Sequence, residues 1–281
     1  MRPFVDVVVC IHNAHDYVKK CLYSLWSAKN TDFKTIIVDD GSDEITKGYL
    51  ETISEQNNFE LIRNESPRGY TAAANQGMKA AEGDYVILLN SDTVVTRNWI
   101  EKLVECASAC ADTGIVGPLS NEASWQSVQV EISDEEWGIN SSKKGLSLKM
   151  TGSIVEECSD KSFPEVFFVN GFCYLIKRSV IDSIGFLDEV NFPVGYGEED
   201  DYSLRAYKAG FKLRIADHCF VYHAKTKSFS SEARRNLTEL GFASLQSKYG
   251  GMFIKQQVNR MINNVHLNMV KEKINRCLAL A

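Results

Sequence analysis

What this sequence has little of narrows it first. No apolar run approaches the ~20 residues that a helix needs to cross a bilayer. Proline is scarce, 5 in 281 residues, and no long linker or internal repeat divides the chain. Positive charge is not in excess: 31 Lys and Arg stand against 37 Asp and Glu, a net charge of −6. Bulk electrostatics therefore give no footing to a nucleic-acid partner. None of the eight cysteines, Cys10, Cys21, Cys106, Cys110, Cys158, Cys173, Cys219 and Cys277, forms a CxxC pair. Cys106 and Cys110 have no His or Cys nearby at zinc-site spacing. Cys10, Cys173 and Cys219 sit in apolar runs and read as core thiols, which suits a reducing cytoplasm. The chain runs straight from Met1-Arg2-Pro3 into strand-like VDVVVCI, so no signal peptide is expected.

What is present reads as an α/β fold, long enough for one large domain or two small ones. YVILLNSDT, Tyr85 to Thr93, is a short unbroken apolar run that stops at Asn90, Ser91 and Asp92. Such a run is expected for a strand buried on both faces, as in a parallel sheet. FVDVVVCI and KTIIVDD read as two more buried strands and FELIRN as a weaker one. Helical spacing between them places Val18, Leu22, Leu25 and Trp26 on one face of a helix over 16–28. Another is expected over 46–56, and the alanine-rich RGYTAAANQGMKAAEG forms a third, with small residues that let it lie close to the sheet. This alternation is the mark of right-handed βαβ crossovers. Beyond a helix from Trp99 to Cys110 and a strand TGIVGP, the pattern dissolves between Leu119 and Phe163. EVFFVNGFCYLIKR reads as a strand or hairpin pair bent at Gly171. RSVIDSIG is a short helix, a helix starts near Glu199 and stops at Gly210, and KLRIADHCFVYH is a late strand. The tail from Ser230 is helical and amphipathic.

Acidic residues stand where a parallel sheet binds its ligand, beyond the carboxyl ends of the strands. Asp39-Asp40 closes one predicted strand and Asp92 another. Asp92 reads as a carboxylate able to hold a divalent metal at the mouth of a cleft, or as a helix cap or turn residue. Glu198, Glu199, Asp200 and Asp201 open a helix, where the macrodipole favours them. Four acids in a row exceed what capping needs. Their mutual repulsion raises their pKa values, as a general base requires.

VCIHN, IIVDDGSD, RGYTAAANQGMKAAEGDYVILLNSDT, NGFCYLIKRSVIDSIGFLDE and YGEEDDYSLRAYKAGFKL, in that order, resemble glycosyltransferase family 2 over Val5 to His223. The resemblance implies a GT-A fold with a mostly parallel central sheet, an inverting mechanism and a nucleotide-diphosphate sugar as donor. It places Cys10, His12 and Asn13 at the nucleotide base, Asp40 on the base edge and Arg68 at a basic contact. Asn75 falls in the helix beside the nucleotide. Asn90-Ser91-Asp92 occupies the family's DxD position, with Asn in place of the first Asp and Asp92 as metal ligand. Glu199 matches the general base, with Glu198 and Asp200 as rivals. His223 resembles a histidine that reaches the metal or diphosphate, or else is held by packing. Mn²⁺ or Mg²⁺ suits such oxygen-dominated ligation.

Rival readings leave different marks. A sugar nucleotidyltransferase would show Gly and Lys in the first turn to cradle triphosphate, and VCIHNAHDY has neither. A dehydrogenase would show GxGxxG there. A non-catalytic partner of another transferase is the remaining alternative, with Asn90 and Glu199 as its footing. The resemblance favours UDP- or dTDP-linked donors and a glycan, lipid-linked or protein acceptor in cell-surface polysaccharide synthesis. It divides the chain into a transferase domain, 1–229, with a donor half to 118 and an acceptor half beyond, and a helical extension, 230–281. The extension's apolar stripe is expected to pack on the domain, on a second subunit, or on a membrane surface.

Overall fold

The computed structural model describes residues 4–28, 32–135, 137–139, 145–225 and 231–281. Strand and helix alternate through the first third: β1 (Val5–Ile11), α1 (His15–Ser27), β2 (Lys34–Asp40), α2 (Glu44–Asn57), β3 (Glu60–Asn64), α3 (Tyr70–Ala80) and β4 (Tyr85–Asn90). These strands pair in parallel in the order β3-β2-β1-β4. Both sheet faces are covered. Val8, Ile36 and Val38 meet the alanines and Met78 of α3, while Val7, Val9, Ile37 and Leu89 meet Leu22 and Leu25 of α1. Full burial of such side chains stabilises the fold by roughly 1.5–3 kcal/mol each. Gly77 fixes how closely α3 lies on the sheet, since a β-carbon there would come within 2.2 Å of Val8 Cγ1.

The second part continues with β5 (Thr93–Val95), α4 (Trp99–Ala109), β6 (Thr113–Leu119), α5 (Leu148–Cys158), β7 (Glu165–Val166), β8 (Cys173–Lys177), α6 (Arg178–Ile184), α7 (Glu198–Lys208) and β9 (Lys212–His223). It departs from the parallel rule. The full order is β3-β2-β1-β4-β8-β6-β9-β5, with β7 beside β9. β8 runs antiparallel to both β4 and β6, and β9 antiparallel to β5 and β7. A strand buried on both faces has the same apolar run in either direction, so its sense cannot be read from composition.

Two expectations are corrected here. EVFFVNGFCYLIKR is no hairpin: β7 pairs with β9, while β8 inserts between β4 and β6. The segment 119–163 contains a full helix, α5, capped by the Ser147 side chain. Its inward face includes Thr151 and Gly152, and these small residues blur the apolar period. Cys10, Cys173 and Cys219 are free thiols as expected, while Cys158 of α5 is bonded to Cys277, with Cα atoms 6.7 Å apart.

Cys277 lies in the tail, which forms α8 (Ser231–Tyr249), α9 (Gly251–Ile262) and α10 (Val265–Ala279). Leu245, Ile254, Met261, Leu267, Ile274 and Leu278 are buried in the same core as α3 and α7. Much of the tail's stripe thus packs on its own chain, while Ile262, Val265 and Met269 stay exposed. Among the described residues, no helix is long and apolar enough to cross a membrane. Thiol titration of the unfolded, unreduced protein is expected to find six free thiols, the number left by the bonded pair, and all eight after reduction. Eight before reduction would remove the bond.

Candidate active site

The carboxyl ends of β1, β2 and β4 open onto one rim, because parallel register places Cys10 beside Asn90 and Ile11 beside Asp39. At the β1–β2 corner the chain ties itself together. His12 Nδ1 donates to the Asp40 carbonyl at 2.8 Å, and Asn13 Nδ2 donates to His12 Nε2 at 3.1 Å. The Asn13 N–H donates to Ser42 Oγ, and the Asn13 side-chain oxygen accepts from the Asp43 N–H. Asn13 and Ala14 both have left-handed backbone, so the turn is sharp and α1 starts at once. Burial, then the charge of Asp40, pushes the Cys10 thiol up. Cys10 is therefore a neutral wall of the rim and no nucleophile.

Asp40 and Asn75 are occupied in ways that only tertiary structure reveals. The Asp40 carboxylate accepts from Asn64 Nδ2 and from the backbone N–H groups of Arg68 and Gly69, all at 2.8–3.0 Å. These bonds fill its acceptor capacity and fold the turn that opens α3. The Arg68 side chain stands exposed on that turn. Asn75 is buried, and its amide grips the Leu187 backbone on both sides and donates to Glu189 at 2.7 Å. In this structure both residues shape the rim from behind.

Asp92 and His223 come together at the next corner. β5 pairs with the end of β9 so that Thr93 lies opposite His223, and the Ala224 N–H donates to the Asp92 carbonyl. Asp92 Oδ1 lies 3.5 Å from His223 Nε2. The imidazole stacks on Phe172, with centroids 5.2 Å apart and planes 16° apart. His223 Nδ1 sits 2.9 Å from the Glu122 carbonyl oxygen. A carbonyl only accepts, so the proton is assigned to Nδ1. Nε2 therefore faces the Asp92 carboxylate, an imidazole nitrogen and a carboxylate oxygen close enough to share one divalent cation, and a backbone carbonyl behind the ring is the usual support of a metal-bound histidine. The pair thus fits an Mn²⁺ or Mg²⁺ ion. Among the described residues no third His, Cys, Asp or Glu joins them. Diphosphate oxygens and water would fill the remaining positions.

The acids of α7 form the third corner. Gly195, Tyr196 and Gly197 take left-handed backbone in succession, φ +92°, +64° and +123°, and turn the chain sharply into the helix. Glu198 is buried, and its Oε2 has no hydrogen-bond partner among the described residues. Burial and then the Glu199 charge hold the Glu198 carboxyl well above its usual range. Burial and Glu199 do the same to Asp200. Glu199 is raised by burial too, but the backbone N–H groups of Glu199, Gly197 and Gly171 pull it back. Glu199 is thus the acid of this cluster whose charged form the backbone favours. Asp201 is different: it is fully buried and bonded to Arg205 at 2.8 Å, Lys248 at 2.6 Å and Tyr249 Oη at 2.6 Å.

Three residues absent from the sequence-based set link the corners. The segment from Gly171 to Phe172 lies between the acids and the Asp92–His223 pair. A β-carbon on Gly171 would stand 3.4 Å from Glu199 Cβ, and Phe172 stacks on His223 while accepting from the Asn90 N–H at 2.9 Å. Tyr70, first residue of α3, is held well above the normal phenol range by burial and then by Cys10, Glu198 and Glu199. It stands between the β1 corner and the acids. An aromatic directly after the helix-opening Gly69 was the available signal.

With this geometry in hand, the comparisons with known proteins fall into place. GlyG, a glycosyltransferase of Streptococcus pneumoniae, is 23% identical over 232 residues, 81% of this chain and 73% of its own. An uncharacterized glycosyltransferase of Haemophilus influenzae is 30% identical over 103 residues, which is 36% of this chain and only 32% of that protein. In fold, the chain is similar to the mannosyltransferase PcManGT of Pyrobaculum calidifontis, solved with GDP-Man and Mn²⁺. The TM-score is 0.64 at 14% identity, covering 100% of this chain and 75% of that one. TarS of S. aureus, solved with UDP-GlcNAc, gives 0.55 at 16% identity over 86% of this chain and 66% of that one. The architecture is thus the GT-A fold of these transferases. The family model described as glycosyl transferase family 2 matches residues 6–185; since that is more than half of its length, this chain belongs to glycosyltransferase family 2.

Proposed function

We propose that the chain is an inverting, metal-dependent glycosyltransferase. It moves a sugar from a nucleotide-diphosphate donor, UDP- or dTDP-linked in preference, to a hydroxyl of a glycan, lipid-linked or protein acceptor in cell-surface polysaccharide synthesis, working in the cytoplasm or at the membrane's inner face. The observation that supports it most is the Gly171–Phe172 segment, which carries the Asp92–His223 pair on one side and the Glu199 carboxylate on the other.

Asp92 and His223 Nε2 would hold the divalent cation, which supplies positive charge to a diphosphate leaving group. Glu199 takes the proton of the acceptor hydroxyl as it attacks the anomeric carbon, and a single displacement inverts that centre. Glu198 and Asp200, both held well above the usual carboxylate range by burial and by the Glu199 charge, flank Glu199. Stacking on Phe172 and the Glu122 carbonyl fixes the plane and tautomer of His223.

The test pairs Mn²⁺ with UDP-, dTDP- and GDP-sugars and follows both thermal stabilisation and nucleotide release. Asp92→Asn and His223→Ala are each expected to abolish Mn²⁺-dependent stabilisation by the nucleotide. Each should also lower turnover by at least about 100-fold. Turnover that survives both Asp92→Ala and Glu199→Gln removes the assignment. Stabilisation by a sugar nucleotide with no release of nucleotide, even with acceptor present, is the outcome of a binding-only protein.

A further inference from the structure

A cavity of about 160 Å³ lies against the outer side of Asp92, walled by Tyr17 and Lys20 of α1, Tyr222 of β9 and Ile139. Of its lining residues, only Asp92 has a role above. Its make-up differs from that of the rim: two phenol rings form walls beside the Lys20 ammonium, and Asp92 is shared with the His223 pair. Lys20 Nζ lies 5.5 Å from the Tyr17 ring centroid. Burial, and then the neighbouring Tyr17, raises the Tyr222 phenol.

The aromatic surface continues outward. Tyr23 and Trp26 follow Lys20 along α1 at three-residue steps, with ring centroids 6.1 Å apart, and Trp137 packs on Tyr23 at 5.5 Å. Trp26 is 60% exposed and Tyr23 49%. Trp137 directly precedes Gly138 and Ile139, which line the cavity. Rings left open to water beside a polar-studded cavity mark a binding surface. Their chemistry selects its occupant. A pyranose has an apolar C–H face that lies on a ring and a rim of hydroxyls that need separate donors and acceptors. A dry apolar helix would leave the Lys20 ammonium unmatched.

We propose that the Tyr17–Lys20–Tyr222 cavity is a carbohydrate subsite that holds one sugar unit of the acceptor, with the Tyr23–Trp26–Trp137 surface receiving the next units of the same glycan. The assignment to the acceptor rests on the transferase reading above; carbohydrate binding itself does not. The ligand is then an oligosaccharide or polysaccharide, and binding strengthens with chain length as successive rings are covered.

Saturation-transfer NMR on the full chain tests this with glucose, galactose, mannose, N-acetylglucosamine and glucuronate, and with linear oligomers of any sugar that responds. At least one monosaccharide is expected to receive saturation, and Tyr17→Ala, a change at an exposed helix position, is expected to abolish it. The signal should persist in the presence of UDP and Mn²⁺. Trp26→Ala should leave the monosaccharide signal unchanged and weaken the oligomers several-fold. No response from any sugar overturns the subsite, as does a response that Tyr17→Ala leaves intact or that UDP displaces. Sugar binding without turnover of any sugar nucleotide keeps the subsite and removes the transferase reading. Turnover without Tyr17-dependent sugar binding does the reverse.

Discussion

Glu199→Gln is expected to lower transfer by about 10²–10⁴-fold, the usual contribution of a positioned general base, while leaving the thermal shift by sugar nucleotide and Mn²⁺ in place. The amide keeps the shape of the side chain but cannot take a proton. The pH profile of the unaltered enzyme carries a second part of the same prediction. The base works only when ionised, and burial raises the Glu199 carboxyl above its ordinary 4.5. Activity should therefore rise with pH along a limb whose midpoint lies above 4.5, and fall as pH drops through it. Glu198→Ala and Asp200→Ala should each retain more activity than Glu199→Gln, since these two are the acids that hold their protons longest. If Glu198→Ala proves as damaging as Glu199→Gln at every pH while the fold is intact, the base is Glu198.

How much of this was legible beforehand depended on how local each cause is. The strands β1, β2 and β4 were plain because burial on both faces demands unbroken apolar runs. Asp92, Glu199 and His223 were legible as candidates because each ends or opens an element, where a polar residue has a short list of uses. Strand direction is not legible, so EVFFVNGFCYLIKR reads equally as a strand or as a hairpin pair. Three-residue β5 is too short for any period, yet it is the strand that brings His223 to Asp92. The partners of Asp40 and Asn75 come from 24 or more positions away, and nothing local distinguishes a carboxylate that binds a base from one that folds a turn. The bond between Cys158 and Cys277 spans 119 positions, beyond the reach of any spacing rule. Tyr70, Phe172 and the aromatic face of α1 were all visible as residue types. What they face is decided by packing.

The tail illustrates the same limit and carries the second large effect. Asp201→Ala is expected to destabilise the fold by about 3–5 kcal/mol, the cost of breaking a buried ion pair by removing one partner. In a chain of this size each kcal/mol lowers Tm by roughly 2–4 °C, so melting should fall by about 6–20 °C. The carboxylate lies two positions from Glu199 and gathers Arg205 from its own helix and Lys248 and Tyr249 from α8. Arg205 in turn donates to the carbonyls of Ile184 and Phe186, closing the loop behind α6. Gly241 adds a second hold. A β-carbon there would overlap the Tyr196 carbonyl oxygen, so α8 rests directly on the left-handed turn that precedes the acids. The tail therefore fastens the turn from which Glu198 and Glu199 project. Lys248→Met tests this without removing the buried charge, because Arg205 and Tyr249 remain on Asp201. It should cost less stability than Asp201→Ala, since the lysine is partly exposed and its own pair is screened by water. It should still shift the acid limb of the activity profile by loosening α7 at its first turn. If it lowers Tm and leaves that limb unmoved, the tail is an anchor for the fold and has no hold on the base.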